Sequence, residues 1–444
     1  MALSGLEIYK LLPKTNCRKC GFPTCLAFAL ALAKKSTDIS KCPYLSDEAK
    51  AILESSSQPP IKLVTIGTGD DALAVGNETV LFRHEEKFRN PAGLGLILED
   101  NLSESKLKES VDFINKLQFE RVGQKLSASL IAVKNVSGDS DKFSATIKFV
   151  IENSKLNLVL MADELKIMHE GIKIAKDRRP LIFPTNEKNI LDVAKLAKEL
   201  SLPLAVSSNN LDLLSEVIKS ISELKVEDLI LNIKEDKISQ NLENLTQIRR
   251  LALKRNFRLF GFPVLAVIKK GDLFNDTLSA GALLVKYASI ILLEGTTVAQ
   301  ILSLLTLRQN IYSDPQKPLQ VEPKIYQIGS PTKRSPLLVT TNFSLTYYTV
   351  LSEVEASKIS SYILSVDTEG MSVLTAWAAE KFTAEKISQS IKQYDAGNLV
   401  EHKIIIIPGY VAVMSADLEE KSGWQVLVGP REASGITGFL KNFN

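Results

Sequence analysis

With 444 residues, 45% of them apolar and 24% charged, the chain has the balance of a soluble globular protein and is too long for one ordinary core, so two or three domains are expected. The net charge of +3 is small and no basic cluster is interleaved with aromatics, which disfavours nucleic acid as a partner. No stretch reaches membrane-spanning length and nothing at the start resembles a secretory signal; the expected compartment is the reducing cytoplasm.

All four cysteines fall within the first 42 residues, as Cys17, Cys20, Cys25 and Cys42. Three lie in Asn16-Cys17-Arg18-Lys19-Cys20-Gly21-Phe22-Pro23-Thr24-Cys25, and the fourth follows sixteen intervening residues and precedes Pro43. Three thiolates from one tight loop and a fourth from a returning segment suit a 4Fe–4S cluster. Gly21 and Pro23 give that loop its bends. Structural zinc usually takes two close cysteine pairs, and Cys42 has no near partner, which argues against zinc without excluding it. Unligated thiols are the bland alternative, and disulfides are disfavoured by the reducing compartment. The apolar run 26–33 reads as a helix packed over the metal. The polar, proline-marked stretch Ser55-Ser56-Ser57-Gln58-Pro59-Pro60 ends this module, giving a first domain over 1–58.

Apolar runs at 62–66 and 79–82 predict a small hairpin-type lead-in. From about Gly95 a rhythm sets in, with β-rich runs at 96–98, 128–133, 158–162, 181–183, 204–206, 229–233, 264–268 and 290–293. Each is followed by helical periodicity; Ile190, Val193, Ala194, Ala197 and Leu200 fall on one face. Asn186 and Asn209-Asn210 read as helix caps. Near-continuous hydrophobic runs are those of parallel strands covered on both faces. Eight βα units over roughly 215 residues match a closed (β/α)8 TIM-type barrel, with its lead-in a domain over 59–315. A doubly wound open sheet is the competitor. Glu99-Asp100, Asp163-Glu164 and Glu294 sit where barrel enzymes place acids, but one or two are expected by chance and no catalytic residue is assigned. The only histidines are His84, His169 and His402, and they support no nucleophile–base arrangement; His402 reads as a surface residue.

Turn signals from Ser313-Asp314-Pro315-Gln316-Lys317-Pro318 through Pro331 open a third part. Strands are expected at 337–341, 362–366, 404–407, 411–414 and 424–428. Helices are expected at 345–359, from 372 to about 394, and briefly from Ala433. This predicts a Rossmann-like α/β domain over 326–444. Small and hydroxyl residues cluster at its strand ends: Thr340, Thr341 and Asn342 with Thr346; then Thr368, Glu369, Gly370, Met371, Ser372 and Val373, with Leu374 and Thr375 following; then Gly429, Pro430, Arg431, Glu432, Ala433, Ser434 and Gly435, with Gly409 added as a candidate. Any one cluster is explained by turn chemistry. Three on one small sheet indicate a pocket for a large, amide-rich ligand. No P-loop or GxGxxG pattern is present, which disfavours an ordinary nucleotide.

The order of the three parts, with the strings Pro13-Lys14-Thr15-Asn16-Cys17 and Asp367-Thr368-Glu369-Gly370-Met371-Ser372-Val373, resembles the large (gamma) subunits of corrinoid iron–sulfur proteins of the anaerobic acetyl-CoA pathway. The resemblance covers the whole chain. It implies that Cys17, Cys20, Cys25 and Cys42 hold a 4Fe–4S cluster, and that Thr340, Thr346, the run 370–373 and Ala433 with its neighbours contact a cobamide. It implies a methyl carrier, fed by a methyltetrahydrofolate methyltransferase and emptied by acetyl-CoA synthase, in a heterodimer with a small barrel subunit. None of the three histidines has an Asp-x-His-x-x-Gly context, so the cobamide would be base-off, which favours the electron-rich cobalt that the cluster would help restore. Two other readings stand beside this one: a barrel methyltransferase acting directly on a pterin, and an electron-transfer subunit without corrinoid.

Overall fold

The computed structural model describes residues 4–34, 36–46, 48–50, 53, 59–184, 187–235 and 237–443. The expected linker residues 55–58 and the expected cap Asn186 lie outside the described residues. The chain forms two compact units, one of residues 1–119 and 126–312, the other of residues 120–125 and 313–444.

The first unit begins with the cysteine module. Its opening helix, Gly5–Leu11, starts at a reciprocal cap: Ser4 N–H donates to the Glu7 carboxylate at 2.7 Å, and Glu7 N–H donates to Ser4 Oγ at 3.3 Å. The apolar run forms the helix Cys25–Ala33, capped by Thr24 Oγ1, which accepts from Ala27 N–H at 3.1 Å. Phe28 and Ala29 on this helix bury against Ile8, Leu12 and Leu53.

Strands β1 (Val64–Ile66) and β2 (Leu73–Val75) pair antiparallel and form the lead-in. The expected second limb, 79–82, is not a strand: Leu81 and Phe82 N–H groups turn to the Glu85 carboxylate, both at 3.3 Å. Val64, Ile66 and Val75 pack on the inward-facing residues of the barrel, and a Cβ on Gly93 would lie 2.6 Å from Leu73 Cδ2, so glycine leaves that leucine its room.

The barrel strands are β3 (Gly93–Glu99), β6 (Leu130–Lys134), β7 (Asn157–Ala162), β8 (Leu181–Pro184), β9 (Leu204–Ser208), β10 (Leu229–Ile233), β11 (Val264–Ile268) and β12 (Ala288–Leu293), following the hairpin of β4 (Gln118–Arg121) and β5 (Gln124–Ser127) where it intervenes. All eight runs read from the sequence are strands. They close in chain order, because Ile290–Leu293 pairs in parallel with Gly93–Leu96, which excludes an open doubly wound sheet here. Alternation along each strand divides the apolar residues: Leu94, Leu96 and Leu98 face the helices, while Ile97, Ala132, Val159, Ala205 and Ile230 fill the interior. Asn210 caps the helix Leu211–Glu223, accepting from Leu213 N–H at 2.9 Å.

One buried ion pair ties the lead-in to the barrel helices. Arg249, on the helix Ile238–Lys254, donates to Glu78 at 3.1 Å, with the two side chains only 6% and 7% exposed. The guanidinium also lies 4.9 Å from the Tyr287 ring centroid and 5.3 Å from that of Phe88.

In the second unit, β13 (Ile325–Ile328), β14 (Leu337–Thr341), β15 (Ser361–Val366), β16 (Ile404–Ile407) and β17 (Gln425–Val428) form one sheet in the order β13-β15-β14-β16-β17. Only β13 is antiparallel, an edge strand that the sequence reading lacked. The run 411–414 is not a strand but a 3-10 turn, Gly409–Met414, leading into the helix Ser415–Ser422. The chain bends there because a Cβ on Gly409 would sit 2.6 Å from the Gly429 carbonyl; two backbones touch where a strand would have to run straight. The single helix expected from 372 is two, Val373–Ala378 and Ala384–Gln393, broken at the left-handed Glu380 with Phe382 fully buried between them.

Replacing Arg249 by leucine is expected to lower the stability of the first unit by about 3–5 kcal/mol, since Glu78 is left charged and buried. A shift of the urea midpoint worth less than about 1 kcal/mol would show that the pair is solvated.

Candidate functional site

The cysteine loop is shaped by left-handed residues at Lys14, Asn16, Arg18 and Gly21. Asn16 ties its two ends: Cys25 N–H donates to Asn16 Oδ1 at 2.8 Å, and Asn16 N–H donates to Cys25 Sγ at 3.4 Å. Cys25 is the first residue of its helix. The Cys17 thiol is held below its usual range, first by the Lys19 backbone N–H and then by the Thr15 hydroxyl. Cys25 is buried, and Cys20 and Cys42 are half-buried on the same small core, while Cys17 is exposed. Three of the four cysteines therefore share one core. Among the described residues no three His, Cys, Asp or Glu side chains are gathered tightly enough to hold a metal ion. The donor set fits an iron–sulfur cluster in kind: four thiols, with Cys17 and Cys25 already receiving backbone N–H groups. Gathering them is work that metal binding itself supplies, because binding and folding of such small modules are coupled.

The second unit carries a cavity of about 400 Å³ at the carboxyl ends of β14 and β16, the topological switch point of its parallel strands. Of the residues picked from the sequence, Thr340, Thr346, Ser372, Val373, Leu374, Gly429, Pro430, Arg431 and Ala433 line it. Thr341, Gly370, Met371, Thr375, Gly409, Glu432 and Ser434 do not. Most of these have identifiable structural tasks. The fully buried Asn342 carboxamide collects donors from Thr368 N–H and Thr368 Oγ1, both at 2.9 Å, and from Gly370 N–H at 3.1 Å. It thereby clamps the loop that delivers Ser372 to Leu374. Gly370 itself is left-handed, and a Cβ there would lie 2.7 Å from the Gln320 side chain. Gly409 N–H donates to Pro430 O at 3.0 Å and Gly429 N–H to Ile407 O at 2.9 Å, which joins the two loops. Glu432 accepts from the Tyr410 hydroxyl.

The sequence reading missed the apolar side of the cavity: Phe343, Val350, Tyr410, Ile436 and Phe439. The signal that could have found Val350 is the helix face of Leu345 to Val350 that lines the cavity. Thr340 and Thr341 are 1% and 0% exposed, yet neither hydroxyl has a hydrogen-bond partner among the described residues; Ser344 and Ser365 nearby are in the same state. An orphaned buried hydroxyl costs about 1–3 kcal/mol, and Thr340 spends that at a cavity wall, as a ligand site would require. No histidine is among the described residues that line the cavity. His402 is spent on the backbone, accepting from Ile404 N–H at 2.9 Å and lying 3.0 Å from Ser335 O.

Two of the barrel acids are engaged. Asp100 accepts from Val136 and Ser137 N–H at 2.9 and 3.0 Å, and Glu294 pairs with Lys134 at 2.8 Å.

Comparison with known proteins sets these features in context. The family model described as CO dehydrogenase/acetyl-CoA synthase delta subunit matches residues 63–440, and an Fe-S cluster family model matches residues 12–44, which contain all four cysteines. The corrinoid/iron-sulfur protein large subunit of Moorella thermoacetica is 45% identical over 441 residues, covering 99% of each chain. The chain belongs to that family. The acetyl-CoA decarbonylase/synthase complex subunit gamma of Methanothermobacter thermautotrophicus is 34% identical, again over 99% of each chain. Although the longer family model is described for a delta subunit, these relatives match from end to end, cysteine module included, and are large and gamma subunits. Among solved structures, the 7,8-dihydropteroate synthase of Vibrio fischeri is similar over 50% of this chain and 93% of its own, at 17% identity and a TM-score of 0.37. Among the described residues no helix is long and apolar enough to cross a membrane.

Two substitutions in the second unit should act with opposite sign on the ligand-free protein. Thr340→Val removes an unpaired hydroxyl at nearly constant volume and is expected to stabilise by about 1 kcal/mol. Asn342→Ala strands two buried backbone donors, Thr368 and Gly370 N–H, and should cost on the order of 3 kcal/mol. Thermal melts of the two variants check both signs.

Proposed function

We propose that this chain is the methyl-carrying large subunit of a corrinoid iron–sulfur protein, with a 4Fe–4S cluster on Cys17, Cys20, Cys25 and Cys42 and a base-off cobamide in the cavity of the second unit. The observation that carries this reading is the joint presence, in one chain similar to such subunits from end to end, of the clustered cysteines and of an apolar cavity with an unpaired buried hydroxyl. When bound, the cobamide supplies a cobalt centre able to take a methyl group from methyltetrahydrofolate on a separate methyltransferase and pass it to acetyl-CoA synthase, and the cluster supplies the electron that restores it.

The chain's own residues have simpler tasks. Phe343, Leu345, Val373, Leu374 and Phe439 offer a dry wall to the macrocycle. The hydroxyls of Thr340, Thr346 and Ser372 and the Arg431 guanidinium supply polar groups for its amide side chains. With no histidine on the wall, the protein offers the cobalt no imidazole, which is the condition for a base-off cofactor. Leu345, Leu374 and Val413 are 68%, 46% and 78% exposed around this end of the sheet, apolar surface that suits cover by a small partner subunit. A cytoplasmic setting fits four reduced cysteines.

Anaerobic purification of the chain with its partner should yield about four irons and one cobalt per chain, with corrinoid absorption that changes on reduction and on adding methyl iodide. Cys25→Ser should lose the iron while keeping the cobalt. Iron without cobalt, even after reconstitution with cobamide and the small subunit, would sink the proposal and leave an electron-transfer role.

A further inference from the structure

The cysteine module carries a charge that the rest of the chain does not share. Residues 1–44 hold seven cations and two carboxylates, whereas the remaining 400 residues hold 47 cations and 49 carboxylates. The whole positive excess of the chain therefore sits in this one small module. Its two carboxylates have other duties: Glu7 closes the cap at Ser4, and Asp38 accepts from Ser40 N–H at 2.8 Å. Two of the cations are explained by the fold. Lys10 lies in the last turn of the helix Gly5–Leu11 and Lys34 is the C-cap of the helix Cys25–Ala33, where a positive charge meets the negative end of the dipole.

Lys14, Arg18 and Lys19 have no such task. They fall in the loop that carries Cys17, all three are exposed, and none makes an ion pair among the described residues. Lys14 and Arg18 hold left-handed backbone, at φ 58° and 61°, a conformation that glycine takes without strain. Three like charges within six positions repel one another and return nothing to the fold. Two of them are also steadied. Lys14 Nζ lies 5.7 Å from the Tyr9 ring centroid, and Lys19 Nζ lies 5.1 Å from the Tyr44 ring centroid and donates to its hydroxyl at 2.5 Å. An ammonium group resting on a ring keeps its charge at the surface and has less freedom left to lose when a partner arrives. Cys17 is exposed while the other three cysteines are buried or half-buried, so the ligand set has one open edge, and these cations flank it.

An open edge on a redox centre is where electrons enter, and a patch of one sign on a chain otherwise close to neutral gathers partners of the opposite sign. We propose that the loop 14–19 is the docking face for an acidic protein that carries one electron at a time, which sets its carboxylates on Lys14, Arg18 and Lys19 and delivers its electron at the Cys17 edge. This rests on the iron–sulfur half of the function proposed above and not on the cobamide. In each encounter the carrier is oxidised by one electron and the cluster is reduced by one, with no bond made or broken. Such encounters bury little surface and are short-lived, so attraction between charges governs their rate more than contact area does.

The test is a titration of the anaerobically purified, iron-loaded full chain with an oxidised acidic flavodoxin, followed by stopped-flow reduction of its cluster absorption by the photoreduced carrier. Association should weaken at least about tenfold between about 20 mM and about 0.5 M salt, the mark of charge-led docking. The triple variant Lys14→Glu, Arg18→Glu, Lys19→Glu should weaken association and slow reduction about tenfold or more at low salt while keeping its iron. Arg250→Glu, at an exposed basic position on a barrel helix, should change neither. Association unchanged by the triple variant, with a shifted midpoint potential, would show that the three cations tune the cluster and dock nothing, and would overturn the inference. So would salt-independent association, equal binding of a basic cytochrome c, or tighter binding of a short oligothymidylate. Should the triple variant lose its iron, the salt dependence and the cytochrome comparison on the unaltered chain decide. A chain that takes up no iron fails the cluster assignment and this inference with it, whereas iron without cobalt fails only the methyl-carrier reading.

Discussion

Parallel pairing of strands governs where chemistry is possible in this chain. Within each sheet, the closed one of eight strands and the open one with four parallel strands, the parallel carboxyl ends all point one way. At those ends the backbone leaves its ladder, so donors, acceptors and helix starts gather on one face and nowhere else. The cavity at the ends of β14 and β16 follows from that asymmetry. The opposite end of the barrel is closed by the β1–β2 ribbon, whose valines and isoleucine continue the barrel's interior core. A fold so arranged has one working face per sheet, and the cysteine module stands apart as chemistry brought by side chains alone.

Much of this was written in the sequence, and the reasons are physical. Parallel barrel strands are buried on both faces, so each appears as a short unbroken apolar run; residues 158–162 and 204–206 are visible without help. Four cysteines at a cluster spacing need no fold to be noticed. What escaped depends on contacts between segments distant in sequence. Residues 411–414 have a strand's composition, but Gly409 and Gly429 meet backbone to backbone, and the chain has to turn. The edge strand Ile325–Ile328 pairs on one side only and shows a mixed, half-exposed pattern. In the cavity, loop residues were legible because turn chemistry marks them, whereas Phe343, Val350 and Phe439 look like ordinary helix and core residues. Within the run read as ligand-contacting, 370–373, Gly370 also has a structural task, since its N–H and that of Thr368 both donate to Asn342.

Unpaired buried hydroxyls gather near the strand ends of the second unit, where Thr340 lines the cavity and Thr341, Ser344 and Ser365 lie beside it without lining it. Buried polar groups with structural roles are saturated: Asn342, Asn232, Asp100 and Glu78 each have their partners. Thr340 is 1% exposed and its hydroxyl has no partner among the described residues. Folding alone would replace it with valine. It faces a cavity, so the cost to stability lies in the same place as the room for a ligand.

The contact between Gly409 and Gly429 has a consequence for how the second unit responds to change. Its two hydrogen bonds, Gly409 to Pro430 and Gly429 to Ile407, join the loop after β16 to the loop after β17. Tyr410 on one loop and Arg431 and Ala433 on the other are thus carried by a single body. Substitutions on the two loops will not combine as independent terms, because a shift of either backbone moves the contacts of both. For anyone reshaping this cavity, the rim is one variable rather than two.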